Sequence, residues 1–465
     1  MEKTGILKSS TNLILSKLTP IILLMIINII FSNKLSTNDY GNYQIVWSLV
    51  NLFVIISTFG IPRYFLSFGG FYDHHKKEVL SSLLIVFLLT LVPISIYLFV
   101  SVDNFTNTSK VLFIVLLLSQ SIYLIQEAST ISYNLNNFLL HVNLVYGCVF
   151  FVWHMIVLFT IGYSLEVCLI GILGSSFIRN IHLSVLMARH STSNSSMQTI
   201  SKKLIDKMEL LWFGMNDSIQ IVTKWFDKIV LLFLLTSSDF AIYFNGTYEI
   251  PLIGLGLTIF QNIIITKGRQ LDDVNQIALF KKSALFMSFF LFPLFVMCFF
   301  YASPIIQFLF GEKYEESAIL FSITSLLLPF RIANYSILLQ LKKQGKHILI
   351  GSIIDFVVAI GLFYVLYPIF KLEGLAIAVV IATIIQISYY LVRICKSYHC
   401  KITDLFPVKE LFVLLLVQVT IVVAIEILLK NDTNHLDLLI SSLLLAAIFV
   451  FNLKKYSYFS FLKKH

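Results

Sequence analysis

Apolar runs of bilayer-spanning length recur from one end of this chain to the other. A helix needs about 20 mostly apolar residues to cross roughly 30 Å of hydrocarbon. A soluble fold would need polar surface to cover its cores, yet only 13% of the 465 residues are charged and 58% are hydrophobic. Soluble domains carry about 25% charged residues. A membrane β-barrel would show short alternating segments instead. The sequence therefore reads as an all-α polytopic membrane protein.

About fourteen transmembrane helices are expected, near residues 13–31, 43–66, 79–100, 111–127, 140–160, 165–187, 209–235, 240–264, 283–301, 316–338, 348–368, 374–392, 410–429 and 436–453. The first run lacks an Ala-x-Ala cleavage site and is followed at once by further spans, so it reads as an uncleaved first helix rather than a signal peptide. With the N-terminus inside, the cytoplasmic segments hold Lys3, Lys8, Lys76, Lys77, Arg189, Lys202, Lys203 and Lys207. They continue with Lys267, Arg269, Lys281, Lys282, Lys342, Lys343 and Lys346, then Arg393, Lys396, Lys401, Lys409 and the terminal lysines. The outer loops hold only Lys34, Lys110, Lys313, Lys371 and Lys430. That is the positive-inside pattern, and it places both termini in the cytoplasm. The net charge of +9 thus follows from loop orientation and an anionic inner leaflet, and calls for no nucleic-acid partner.

The longest polar insert, "ARHSTSNSSMQTISKKLIDKM" at 188–208, divides the chain. An N-terminal lobe of six spans (1–190) is expected, then a cytoplasmic interlobe loop (191–208). A second six-span lobe (209–395) and two additional C-terminal helices with a cytoplasmic tail (396–465) complete the layout. It suggests a transporter built from two structural repeats. The outer loops are short, with no room for an extracytoplasmic catalytic domain.

Charges inside spans point to the working surface, because an ion in hydrocarbon costs roughly 2.5 kcal/mol or more and so faces a cavity or a partner. In "VTKWFDKIVLLFLL" at 222–235, Lys224, Asp227 and Lys228 interrupt an apolar helix. Asp217, Lys224 and Lys228 are spaced by seven and four, with Gln220 and Asp227 beside them, so all five share one helical stripe. Lys224 and Asp227 can pair at i, i+3. The alternative is that these charges pack the bundle, or that Lys228 snorkels to the interface. Arg63 in "TFGIPRYF" and Arg331 in "LLLPFRIANY" each follow a proline. Pro62 is expected to bend or end the second span. Glu127, Asp355 and Glu426 are the acids placed for ion coupling. His154, alone on an apolar helix, reads as a hydrogen-bonded core residue.

Other chemistry is not signalled. The five cysteines form no CxxC pair, and no P-loop, dinucleotide fingerprint or zinc motif is present. No catalytic residue, metal site or cofactor is called for. With no ATPase encoded, the energy source is a Na⁺ or H⁺ gradient, the membrane potential or downhill flow.

Five stretches carry a family resemblance: "LSTNDYGNYQIVWSLVNLF" at 35–53, "TFGIPRYFLSF" at 58–68, "KWFDKIVLLFLLTSSDFAIY" at 224–243, "YASPIIQFLFGEKYEESAILFSI" at 301–323 and "KLEGLAIAVVIATIIQ" at 371–386. In order and spacing the chain resembles the polysaccharide biosynthesis transporters, the repeat-unit flippases of O-antigen, capsule and related glycans. Their superfamily also holds the multidrug and toxin extruders and the lipid II flippases. Leu375 departs from the family pattern, where alanine is frequent.

The resemblance implies two six-helix lobes around a central cavity, plus two C-terminal helices. It implies flipping of an undecaprenyl-diphosphate-linked oligosaccharide from the inner to the outer leaflet of a bacterial cytoplasmic membrane. The partners implied are that lipid-linked sugar, membrane lipids, and the polysaccharide polymerase and chain-length machinery. Arg63, Lys224 and Lys228 would balance the diphosphate, Asp217 and Gln220 would bond sugar hydroxyls, and Asp227 and Arg331 would complete the cavity set. The rival reading is a cation-coupled exporter of small amphiphilic molecules, kept open by Glu127, Asp355 and Glu426. A glycan polymerase would need basic outer loops that the chain lacks.

Overall fold

The computed structural model describes residues 2–63, 105–133, 135–193, 207–248, 271–342, 344–428 and 440–445, with isolated positions 253, 254, 268, 447 and 448. The predicted span 79–100, most of 240–264 and part of 436–453 lie outside the described residues. Among the described residues there is helix and no strand. The helices are α1 (Glu2–Lys34), α2 (Thr37–Thr58), α3 (Asn107–Ser132), α4 (Asn136–Ile156), α5 (Leu165–Ser193), α6 (Lys207–Leu234) and α7 (Ser237–Gly246). They continue as α8 (Asp273–Phe300), α9 (Ala302–Phe310), α10 (Ser317–Ser325), α11 (Ser336–Leu341), α12 (Gly345–Tyr398), α13 (Ile402–Leu405) and α14 (Val408–Leu428). Residues 1–241 form one compact unit and 242–465 a second. Compactness is a different criterion from chain order, and it groups α6 with the first unit.

Seven described helices are long and apolar enough to cross a membrane, or eight if Ser317–Ser325 and Leu328–Leu341, bent by 42°, are one span. Two long described helices miss that test, α2 and α6, and they pack on each other. Both are diluted by polar groups, such as Asn42, Gln44 and Asn51 on α2 and the charged stripe on α6.

The 54-residue helix α12 is two spans. A straight helix of that length would run about 80 Å, over twice the hydrocarbon thickness. Lys371 breaks it with φ 52° and ψ −126°, and the arms fold back on each other. Gln386 reaches the Gly351 carbonyl at 3.3 Å, Tyr390 the Ile348 carbonyl at 2.9 Å, and Ser397 the Gln344 side chain at 2.8 Å. A β-carbon on Gly374 would sit 2.4 Å from the Leu366 carbonyl oxygen. Glycine there is what lets the hairpin close, and it explains the glycine in "KLEGLAIAVV". In the 301–323 stretch the chain turns at Gly311, with φ 95°, and buries Tyr314.

One element recurs at residue level. "LSTNDYGNY" at 35–43 and "LTSSDFAIY" at 235–243 match with Leu, Asp and Tyr in the same places. Ser36 and Thr236 act as equivalent N-caps. Each hydroxyl accepts from the aspartate backbone N–H, at 3.1 and 3.3 Å, and donates to its carboxylate at 2.7 Å. Tyr40 and Phe240 are both buried, as are Tyr43 and Tyr243. The two turns also touch. Thr37 Oγ1 lies 3.2 Å from Ser238 Oγ, and Ser237 Oγ donates to Asn42 Oδ1 at 2.7 Å. Below the first turn, His154 is fully buried. Its Nδ1–H donates to the Phe150 carbonyl at 2.6 Å, leaving Nε2 to accept from the Tyr43 hydroxyl at 3.1 Å. It is the hydrogen-bonded core residue expected.

The glycine of "NDYGNY" is set by this contact, since a β-carbon at Gly41 would fall 1.8 Å from the Ser237 carbonyl oxygen. Backbone cannot move aside as a flexible side chain can. Gly41→Val is expected to destabilise the protein by about 1–3 kcal/mol through overpacking, read as a lower midpoint in detergent thermal unfolding. A substitution at Gly174, where nothing lies within 4 Å, should leave the midpoint in place.

Candidate functional site

The site begins with a helix stop. The α2 helix ends at Thr58 because Phe59 and Gly60 take left-handed conformations, φ 40° and 74°. The Phe59 N–H closes back on the Ile55 and Ile56 carbonyls. Helix resumes over residues 61–63. The break expected at Pro62 therefore falls earlier and comes from this left-handed pair, with Pro62 inside the resumed turn, where its fixed φ fits. Gly214 receives the Phe59 ring, which lies 2.3 Å from where a β-carbon would stand. That close approach sets the distance between the end of α2 and α6.

One turn along from each contact residue, Arg63 meets Asp217 at 2.9 Å. The guanidinium side chain is 43% exposed and the carboxylate side chain 18%. A sunk anion thus holds an accessible cation at its edge. Further along the same face of α6, Gln220 and Lys224 are exposed, while Asp227 is buried. Asp227 takes Lys228 as its ion-pair partner at 3.1 Å. This pair is sunk, at 8% and 14% side-chain exposure, and the Lys228 ammonium also lies 5.5 Å from the centre of the Trp225 ring. Lys228 thus reaches its backbone neighbour through its long stem, in place of snorkelling away. The accessible part of the stripe is Arg63, Gln220 and Lys224. The structure therefore brings together Arg63 with Asp217, and Asp227 with Lys228, in the first unit. Arg331 belongs to the second unit. It sits half-buried at non-helical φ −86°, ψ 16° in the 3₁₀ turn Leu328–Ile332, at the break of the bent span.

The three acids considered for ion coupling stand on separate helices. Glu127 on α3 faces Lys17 of α1 at 3.9 Å and accepts from the Tyr123 hydroxyl at 3.2 Å. Asp355, on the first arm of α12, is half-buried and has no ion pair among the described residues. Glu426 is half-buried on α14. Among the described residues no cluster of acids, histidines and cysteines could hold a metal ion. All five cysteines are free.

A second buried network was not singled out from sequence. Arg179 on α5 is 5% exposed. Its guanidinium carbon lies 3.4 Å from the Tyr123 ring centre and 4.0 Å from that of Tyr146, and one of its N–H groups donates to Gln120 at 2.8 Å. Two π-faces and a carboxamide replace its water, which cation–π attraction makes tolerable when desolvated. Tyr123 also donates to Asn143, and Asn143 to the Ser16 carbonyl. The cluster knits α1, α3, α4 and α5. The signal available was an arginine and a carboxamide inside two predicted spans, without a spacing to connect them.

The Arg63–Asp217 contact is testable by itself. Arg63→Ala and Asp217→Asn should each destabilise the protein, and the double variant should lose less than their sum. The expected coupling is about 1 kcal/mol, because Arg63 is half-exposed and solvent screens it. It would be read from a double-mutant cycle in detergent unfolding. Additivity within about 0.3 kcal/mol would show that the pair does not act.

Comparison with known proteins bears on what this arrangement serves. The family model described as "Polysaccharide biosynthesis protein" matches residues 30–319. Comparison with curated proteins finds no match. Among solved structures, the inward closed conformation of the lipid II flippase MurJ is similar with a TM-score of 0.69 at 17% identity, covering 95% of this chain and 98% of that one. An inward-facing multidrug resistance MATE family transporter of the MOP superfamily is similar with a TM-score of 0.56 at 15% identity, covering 83% and 98%. The MATE transporter VcmN of Vibrio cholerae, in its bent form, gives 0.54 at 11% identity, covering 84% and 96%. At these identities the likeness is one of fold. With the family model matching more than half its length, the chain belongs to the polysaccharide biosynthesis protein family, on a fold shared with MurJ and the MATE transporters.

Proposed function

We propose that this protein flips a polyprenyl-diphosphate-linked oligosaccharide from the cytoplasmic to the outer leaflet of a bacterial cytoplasmic membrane, with both termini in the cytoplasm. The observation that carries the reading is the accessible Arg63 guanidinium held by the sunk Asp217 carboxylate, on a family member whose fold is that of flippases and exporters. A sugar diphosphate cannot cross lipid unaided, because each desolvated charge costs several kcal/mol or more. A transporter must supply compensating charge and hydrogen bonds at the place the water is lost.

Arg63 and Lys224 serve as the diphosphate-facing cations. Asp217 keeps the guanidinium oriented while the site is empty and yields it to the phosphate oxygens, which accept in its place. Gln220, exposed one turn before Lys224, offers amide donors and an acceptor to sugar hydroxyls. Asp227 and Lys228 neutralise each other beneath this surface, so they keep the stripe wet without trapping the substrate. The prenyl tail stays in lipid. Rocking of the repeats carries the head across. The polymerase and chain-length machinery would receive the product. Energy comes from a Na⁺ or H⁺ gradient or the membrane potential, with Asp355 the acid best suited to coupling. The small-amphiphile exporter reading is weakened at Glu127, whose charge already meets Lys17 and the Tyr123 hydroxyl.

The test is complementation of a strain deleted for the gene. Lys224→Gln should reduce surface glycan roughly tenfold or more, since a charge-assisted contact is worth about 1.5–3 kcal/mol, with membrane levels unchanged. Normal surface glycan from that variant would remove the role assigned to Lys224.

A further inference from the structure

A second charged surface lies at one end of the second unit. The two arms of α12 are antiparallel, so its first and last turns stand side by side. On the first arm, Ile353, Val357, Ile360 and Tyr364 are exposed, from 40% for Ile360 to 86% for Tyr364. They recur at the spacing of one helix face, and the exposed Lys346 lies on that same face, seven residues before Ile353. On the second arm, Ile381, Ile385 and Val392 form a matching exposed stripe. The exposed Lys396 tops it one turn beyond Val392. Each exposed apolar stripe therefore ends in a lysine at the same end of the hairpin.

Between the two stripes, on the same side of the hairpin, sit His347, Tyr389 and Arg393. His347 Nδ1 is 3.1 Å from the Tyr389 hydroxyl, and Arg393 donates to His347 Nε2. The Arg393 Nε is buried and has no hydrogen-bond partner among the described residues. Lys346, Arg393 and Lys396 likewise enter no ion pair among the described residues. Two nearby acids are engaged elsewhere. Asp273 takes Lys342 at 2.6 Å, and Asp404 accepts from the Lys401 backbone at 2.8 Å. On the hairpin itself, Asp355 lies near Tyr390 within the arm-to-arm contact, and Glu373 lies beside the Lys371 turn.

We propose that this face of the α12 hairpin binds an anionic phospholipid, with Lys346, Arg393 and Lys396 around the headgroup phosphate and the acyl chains along the two apolar stripes. A cluster of uncompensated cations over an apolar surface matches the charge and the amphipathy of one molecule, a bilayer phospholipid. A free anion would use the cations and leave the stripes uncovered. The charge asymmetry of the loops places this end in the cytoplasmic leaflet. The site stands apart from the charged stripe of α6 and does not depend on the flippase reading.

Native mass spectrometry of the full-length protein in detergent tests this directly. Protein incubated with equal phosphatidylglycerol and phosphatidylcholine should retain phosphatidylglycerol preferentially, and excess inorganic phosphate should not displace it. Lys346→Gln, Lys396→Gln and Arg393→Gln should each lower that retention by about fivefold, the worth of one basic contact at a membrane surface. Lys346 and Lys396 are exposed, so their double variant keeps the test open if Arg393→Gln misfolds. Equal retention of the two lipids, displacement by phosphate, or unchanged retention in the double variant would each overturn the proposal.

Discussion

A charge cannot rest against hydrocarbon without a partner or water, and this constraint organises the first unit. Asp217 and Asp227 are sunk into α6, and each carries a cation at its edge, Arg63 and Lys228. The two pairs differ in access. Arg63 stays open to solvent, whereas Lys228 is shielded. Helices built this way cannot be fully apolar, and α2 and α6 are the long described helices that fail a simple hydropathy test. Their mutual packing brings several of these polar groups together. Arg179 answers the same constraint differently, with two tyrosine rings and a glutamine taking the place of water.

Backbone geometry puts those charges in register. Phe59 and Gly60 stop α2 in a left-handed turn, and Gly214 admits the Phe59 ring. Arg63 then reaches Asp217 one turn away on each side. The duplicated cap at 35–43 and 235–243 does similar work at the other ends of α2 and α6. There, Gly41 allows backbone to approach backbone, and paired hydroxyls and amides bridge the gap.

Much of this was legible in the chain. The all-helical membrane class follows from the apolar runs and the run of charged residues on α6 from the sequence itself, and the motifs carried the family. The α12 hairpin was read correctly as two spans although the helix runs almost unbroken through Lys371. What stayed hidden depends on contacts distant in sequence. No spacing connects Arg63 to Asp217, or Arg179 to Tyr123 and Tyr146. Asp227 was expected to pair with Lys224 by helical spacing, and its ion pair with the next residue, Lys228, is one that helical spacing does not point to. The break at 58–62 was assigned to Pro62, because a left-handed phenylalanine leaves no mark in composition. The duplicated cap was visible in principle, yet only nine residues long and tolerant of Ser for Thr and Phe for Tyr.

The central claim is that the substrate is a lipid-linked sugar that this protein moves outward. The most direct test is to delete the gene and follow polyprenyl-diphosphate oligosaccharides by mass spectrometry, assigning their leaflet with a membrane-impermeant sugar-modifying enzyme. The account predicts that a complete repeat unit accumulates on the inner leaflet, protected from the enzyme, while surface glycan is lost. Normal outward appearance of that intermediate, in a strain shown to contain no second flippase, would contradict it.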